Sequence, residues 1–138
     1  MTSTDDHPGD VGLPTARTLV RFPGPGNPFL PGPWSDLVVV HRAERSELGR
    51  VGVRVEPEEP TIEVRVTMHG HATRQGYGTE ALDAVVTHAL VARGFVRVVA
   101  FADAHDDPRR RLFARVGLLP VAADGDDLVY VRRAATGP

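Results

Sequence analysis

Hydrophobic residues recur with two different periods along this chain, and the switch between them divides it. From Thr61 to Met68 the alternation is complete: Ile62, Val64, Val66 and Met68 face one side, and Glu63, Arg65 and Thr67 the other. That is the period-two pattern of a half-buried strand. Leu48–Val55 repeats it with Val51, Val53 and Val55, Leu37–His41 is β-branched and apolar, and Thr18–Arg21 reads as a short strand. The links HRAERSE and EPEEP are short and polar, which predicts an antiparallel meander. After Gly78 the period becomes helical, with Leu82, Val85, Val86, Ala89 and Leu90 on one stripe and Gly94 as the stop. Phe95–Ala102 returns to strand. Asp106-Asp107-Pro108 then has the carboxylates and proline of a helix start, Leu112, Phe113 and Val116 supply its stripe, and Gly117 ends it. A hairpin across Asp124-Gly125 closes the order as β-β-β-β-α-β-α-β(β), a mixed sheet with helices.

Two segments fall outside both periods. Residues 1–16 are polar and contain Gly and Pro, and are expected to be a flexible tail before a single domain over 17–135. FPGPGNPFLPGP, residues 22–33, holds five prolines and three glycines. No helix runs through such a segment, so it should form an extended or turning surface stretch pinned by Phe22, Phe29, Leu30 and Trp34.

Composition narrows the function classes. The chain has 138 residues, 41% hydrophobic and 25% charged, with a net charge of −2. A nucleic-acid binder relying on bulk electrostatics is usually strongly basic, so that class is set aside. All sixteen basic residues are Arg, so arginine abundance by itself says nothing about phosphate. There is no Cys, which removes disulfides, thiolate metal sites and a cysteine nucleophile. The first residues lack the basic and apolar regions of a leader, and no apolar run approaches membrane-spanning length. The expectation is a cytoplasmic protein that binds neither membrane nor metal.

The stretch with the most chemistry is TRQGYGTEA, residues 73–81. A helix N-terminus has unpaired N–H groups and attracts anions, and glycines before it let a phosphate come close. Gly76-x-Gly78-x-x-Ala81 also fits a dinucleotide fingerprint, but seven residues, HGHATRQ, separate it from the preceding strand. The strands upstream read as antiparallel, which also argues against that fold. A lysine-dependent phosphate loop is excluded because the chain has no Lys, and no G-x-S-x-G stretch supports a serine hydrolase.

TRQGYGTEALDAVV resembles the pyrophosphate-binding motif of the GCN5-related N-acetyltransferases (GNAT), in particular the ribosomal-protein N-terminal acetyltransferase type. Ile62-Glu63-Val64 and DDPRRRLFARVGLLPV resemble two further segments of that family, so the likeness covers residues 37–132. It implies an α/β (α+β) fold with a mostly antiparallel mixed sheet flanked by helices. The fourth and fifth strands, Thr61–Met68 and Phe95–Ala102, would splay into a V. The family's first two helices have no counterpart in FPGPGNPFLPGP, so the acceptor half is reduced. By resemblance, acetyl-CoA lies in the V as co-substrate. Arg74, Gln75, Gly76, Tyr77, Gly78 and Thr79 would cradle its pyrophosphate, backbone near Thr67 and Met68 would meet the pantetheine arm, and Asp106 stands where an Asn often contacts that arm.

Direct attack by an amine then needs a base and a proton for the departing thiolate. Glu63 is the first candidate base, with an ion pair to an Arg as its competing role, and His69 follows, with His71 beside it. Phe113 occupies the position at which many members carry a tyrosine acid, Thr73 stands for an Arg or Gln, and Arg109 for a Ser. Arg109, Arg110, Arg111 and Arg115 would either meet the 3′-phosphate or form a solvated face. Three functions follow: an acyl-CoA-dependent N-acyltransferase acting on a small amine or a protein N-terminus, a degenerate CoA-binding or regulatory protein, and a nucleotide-binding module. The Pro/Gly segment leaves an open groove, a protein-binding surface and a homodimer contact as alternatives.

Overall fold

A computed structural model describes residues 12–24, 26–57 and 59–135. Eight strands form one sheet in the order β1-β2-β3-β4-β5-β6-β8-β7. They are β1 (Gly12–Pro14), β2 (Thr18–Arg21), β3 (Ser35–His41), β4 (Glu47–Val55), β5 (Thr61–Met68), β6 (Arg97–Asp103), β7 (Leu119–Asp124) and β8 (Asp127–Arg133). β3 to β5 form the antiparallel meander that the short polar links predict, and β2 and β1 extend it. Within the stretch read as a tail, Gly12–Pro14 pairs with Leu19–Arg21 through main-chain bonds that no side-chain pattern announces. Expectations for residues 1–11 lie outside the described residues.

Helix α1 (Tyr77–Thr87) runs on into a wider π turn, His88–Ala92, and α2 spans Asp107–Arg115. The predicted stripe of α1 is the buried one, Leu82, Val85, Val86, Ala89 and Leu90. Each large aliphatic side chain removed from water here is worth about 1.5–3 kcal/mol. Both helices lie on the same face of the sheet. Arg132 of β8 reaches Val116 O at the end of α2 at 3.1 Å and Asp83 of α1 at 3.9 Å. Phe113 of α2 meets Tyr130 of β8 edge-on, with centroids 5.3 Å apart. The opposite face carries Trp34 under Arg54 and Arg65, and among the described residues no helix covers it.

The Pro/Gly segment is tied down by aromatics. Phe22 and Phe29 pack edge-on at 5.5 Å, and Phe29 sits 5.1 Å from His88 at the far end of α1. Leu30, expected as a third pin, is 61% exposed. Leu30 closes a turn, its N–H donating to Asn27 O at 3.3 Å, and that turn leaves its side chain at the surface.

Between β5 and β6 the sheet opens. The two strands pair in parallel only through Thr61↔Arg97, Ile62↔Val98 and Glu63↔Val99. β5 stays in register with β4 as far as Met68, while β6 goes on with β8 as far as Asp103. From Val64 onward, among the described residues, no strand lies beside this edge of β5. Sheet twist carries the two ends apart.

Candidate functional site

A cleft of about 710 Å³ occupies the splay, a size suited to a small-molecule or cofactor site. Val66, Thr67 and Met68 of β5 form one wall. Arg74, Gly76, Gly78 and Thr79 form the end at the start of α1, and Asp106, Pro108, Arg109, Arg111, Leu112 and Arg115 form the α2 wall. The predicted residues Thr67, Met68, Arg74, Gly76, Gly78, Thr79 and Asp106, scattered over forty positions of sequence, are thus brought together.

Local geometry explains why α1 starts where it does. Gly76 is its cap residue with φ 83°, and Arg74 has φ 63°. Such backbone suits glycine and strains an arginine. Gly76 has no side chain to cap the first turn, so the cap residue itself offers no acceptor to the N–H groups at the head of α1. At Gly78 an added Cβ would stand 3.2 Å from both Leu112 Cδ1 and Met68 Cγ. α1, α2 and β5 therefore meet there closely, and any larger side chain would have to displace Leu112 and Met68. α2 starts on Asp106, whose carboxylate accepts from Arg109 N and Arg109 Nε, each at 3.2 Å. Arg109 Nη1 in turn donates to Val66 O at 2.8 Å, crossing the cleft to the strand edge that β6 leaves.

The charge of the cleft is one-sided: among the described residues four guanidiniums line it and Asp106 is the single carboxylate, already bonded to Arg109. Together with the uncapped helix start, this attracts an anion. The α2 arginines divide. Arg109, Arg111 and Arg115 line the cleft, whereas Arg110 turns away to Tyr130 Oη and Ala104 O, both at 3.1 Å. Helical spacing from Pro108 through Arg111, Leu112 and Arg115 was the signal for that lining face, hidden by an unbroken run of arginines.

Four expected residues point elsewhere. Glu63 does not line the cleft: it sits opposite Arg54 across the β4–β5 register and pairs with it at 2.5 Å, with 17% of its side chain exposed. The competing ion-pair role holds, because the polar face of β5 looks away from the helices. Gln75 turns outward, its Nε2 donating to His71 O at 2.9 Å. Tyr77 packs behind the loop, edge-on to His41 at 5.6 Å and beneath the Arg17 guanidinium at 4.4 Å. His69 is an exposed neighbour of the lining residue Met68, not a lining residue itself. Its Nε2 lies 2.7 Å from Glu47 Oε2, and its ring stacks on His71 at 5.8 Å. The hydrogen bond from His69 holds the Glu47 carboxyl below its ordinary range against a small opposing effect of burial, helped by the charges of Arg50 and His69.

Among the described residues no group of three or more His, Asp or Glu is placed to hold a metal ion. None of their helices is long and apolar enough to cross a membrane.

Residues 29–119 match a family model described as an acetyltransferase (GNAT) domain. No curated protein matches the sequence. Among solved structures the fold is similar to a GNAT-family acetyltransferase from Bacillus anthracis, with TM-score 0.67 and 16% identity over 72% of this chain and 66% of that one. It is also similar to the ribosomal-protein-S5-alanine acetyltransferase of Vibrio fischeri, with TM-score 0.64 and 13% identity over 73% and 62%. A third is RimJ of Mycobacterium smegmatis in complex with CoA-disulfide, with TM-score 0.64 and 18% identity over 73% and 53%. The chain thus spans less than two thirds of each of these structures, and the likeness at such identities is one of fold.

Proposed function

Because the chain belongs to the GNAT acetyltransferase family, we propose that it transfers an acyl group, acetyl in the simplest case, from acyl-CoA to an amine by direct attack. One observation carries this reading: the cleft at the β5–β6 splay combines an uncapped helix start with four arginines. It fits a long, polyanionic thioester better than a neutral ligand. The N–H groups at the start of α1 would hold the pyrophosphate with Arg74, while Arg111 and Arg115 would meet a further phosphate. The β5 edge, Val66 to Met68, offers main-chain groups to the amide-bearing arm and to the developing oxyanion. His69, held by Glu47 at the rim, is the proposed base for the incoming amine. Solvent supplies the proton to the departing thiolate. The acceptor is a small amine or a protein N-terminus.

A second reading has an observation of its own. Among the described residues the cleft lining contains no His, Glu, Tyr or Cys. A CoA-binding protein without catalysis would look the same, and the two readings separate on turnover.

The test is thermal stability with acetyl-CoA, CoA and NAD, followed by thiol release over a panel of amines and peptides. Acetyl-CoA and CoA should each raise the melting temperature and NAD should not, since a ligand bound only to the folded state stabilises it. Gly78→Leu should abolish the shift by filling the junction of α1, α2 and β5. Equal stabilisation by NAD would overturn the coenzyme assignment, and a CoA shift with no thiol release from any amine would favour the non-catalytic reading.

A further inference from the structure

The loop that lines the cleft has a back as well as a front, and residues from the other end of the chain occupy it. Glu80, in the first turn of α1, accepts from Thr15 Oγ1, from Arg17 N at 2.8 Å and from Arg17 Nε at 2.9 Å. The same guanidinium donates from Nη1 to Gln75 O at 3.0 Å and lies 4.4 Å above the Tyr77 ring. Its Nη2 is the atom nearest to where a Cβ on Gly76 would stand, at 3.1 Å. Arg17 thus touches three successive residues of the loop from outside, while Arg74, Gly76, Gly78 and Thr79 face the cleft. The turn carrying Thr15 and Arg17 is itself anchored. Arg42 N donates to Arg17 O at 2.9 Å, Arg42 Nη1 donates to Thr15 O, and Thr18 N donates to Thr15 Oγ1 at 2.9 Å.

The electrostatic problem that this solves is specific. A carboxylate in the first turn favours the helix dipole, but here it stands beside the N–H groups meant for an anion. Left uncompensated, Glu80 would repel that anion. The side chain is only 20% exposed, so water screens it incompletely. We propose that Arg17 is a positioning residue of the anion site: it neutralises Glu80 and braces Gln75–Tyr77 from behind, so that the head of α1 presents its N–H groups without a competing negative charge. This rests on the coenzyme reading only for the identity of the anion. The charge compensation applies to any pyrophosphate.

A double-mutant cycle tests it on the full chain, with Arg17→Ala, Glu80→Gln and both together, reading affinity for CoA and for inorganic pyrophosphate by calorimetry. Arg17→Ala should weaken both by about tenfold, the cost of one unscreened charge near the bound anion. Glu80→Gln should bind at least as well as the unaltered protein, and the double variant should recover to within about twofold of Glu80→Gln. Arg17→Lys, which restores charge without the fork, should recover part of the loss. If the double variant stays as weak as Arg17→Ala, Arg17 is merely a prop and the compensation idea fails. If Arg17→Ala binds normally, the whole inference fails. Pyrophosphate affinity that follows the cycle without CoA binding would sink the coenzyme reading and leave this one standing. Binding of neither probe by the unaltered protein overturns both.

Discussion

Phe113 occupies the position at which the family resemblance places a tyrosine acid, and its surroundings show why a phenylalanine suits this chain. The ring is fully buried and rests edge-on against Tyr130, while its neighbour Leu112 is the residue that reaches the cleft. Phe113→Tyr should therefore not restore an acid. Burying an unpartnered hydroxyl costs about 1–3 kcal/mol, or a melting-temperature drop of roughly 3–12 °C for a domain of this size. Thiol release from acetyl-CoA should not increase. A variant that melts normally and turns over faster would show that this ring does reach the reacting atoms. The same scale explains Glu63. Alternation put it correctly on the polar face of its strand, but which face meets the helices is not a local property.

At the scale of elements, His88 links α1 to the Pro/Gly segment. Its ring packs 5.1 Å from Phe29 and 6.3 Å from Phe22, and its Nε2 accepts from Arg93 Nε at 3.1 Å. Burial, and then the charge of Arg93, push its pKa below the ordinary histidine value. A folded pKa below the unfolded one means that the unfolded chain binds the proton more readily, so stability rises with pH. The contribution is fully present above the unfolded pKa, about 6.5, and is lost as the pH falls from there towards the folded pKa. His88→Phe should remove this dependence. Its melting temperature should gain on the unaltered protein as the pH goes from about 7.5 to about 5.5. A difference that stays constant over that range would mean that His88 does not titrate on unfolding. Sequence disclosed that FPGPGNPFLPGP could not be helical, but not that Phe29 would find a histidine at the far end of α1, because the two lie 59 positions apart.

The whole molecule is slightly acidic, at −2, yet its cleft concentrates positive charge from Arg74 and α2. Attraction for an anion is thus local. Screening weakens such attraction within about 8–10 Å at ordinary ionic strength. CoA affinity should fall as salt is raised from about 0.05 to 0.5 M, whereas affinity for uncharged S-acetylpantetheine should hardly change. Equal salt dependence for both would mean that the arginines do not meet the phosphates. Both helices cover one face, and the other presents Trp34 between arginines Arg54 and Arg65, which pair with Glu63 and Asp36.

What the sequence by itself determined was periodic and local. Alternation set the meander from β2 to β5, helical spacing set the buried stripe of α1, Asp106 and Pro108 set the start of α2, and the two glycines marked the loop that precedes a helix. These follow from side-chain direction and backbone freedom within a few residues. Tertiary structure alone decided the rest. It decided that β5 parts from β6 after Glu63, that Arg109 crosses to Val66, and that Glu63 pairs away from the cleft. It also brought Thr15 and Arg17, expected at or beside a flexible tail, behind the loop at Gly76. The Arg109–Val66 and Arg17–Glu80 contacts join residues more than forty positions apart, and their energy arises from burial and charge that exist only once the sheet has closed around them.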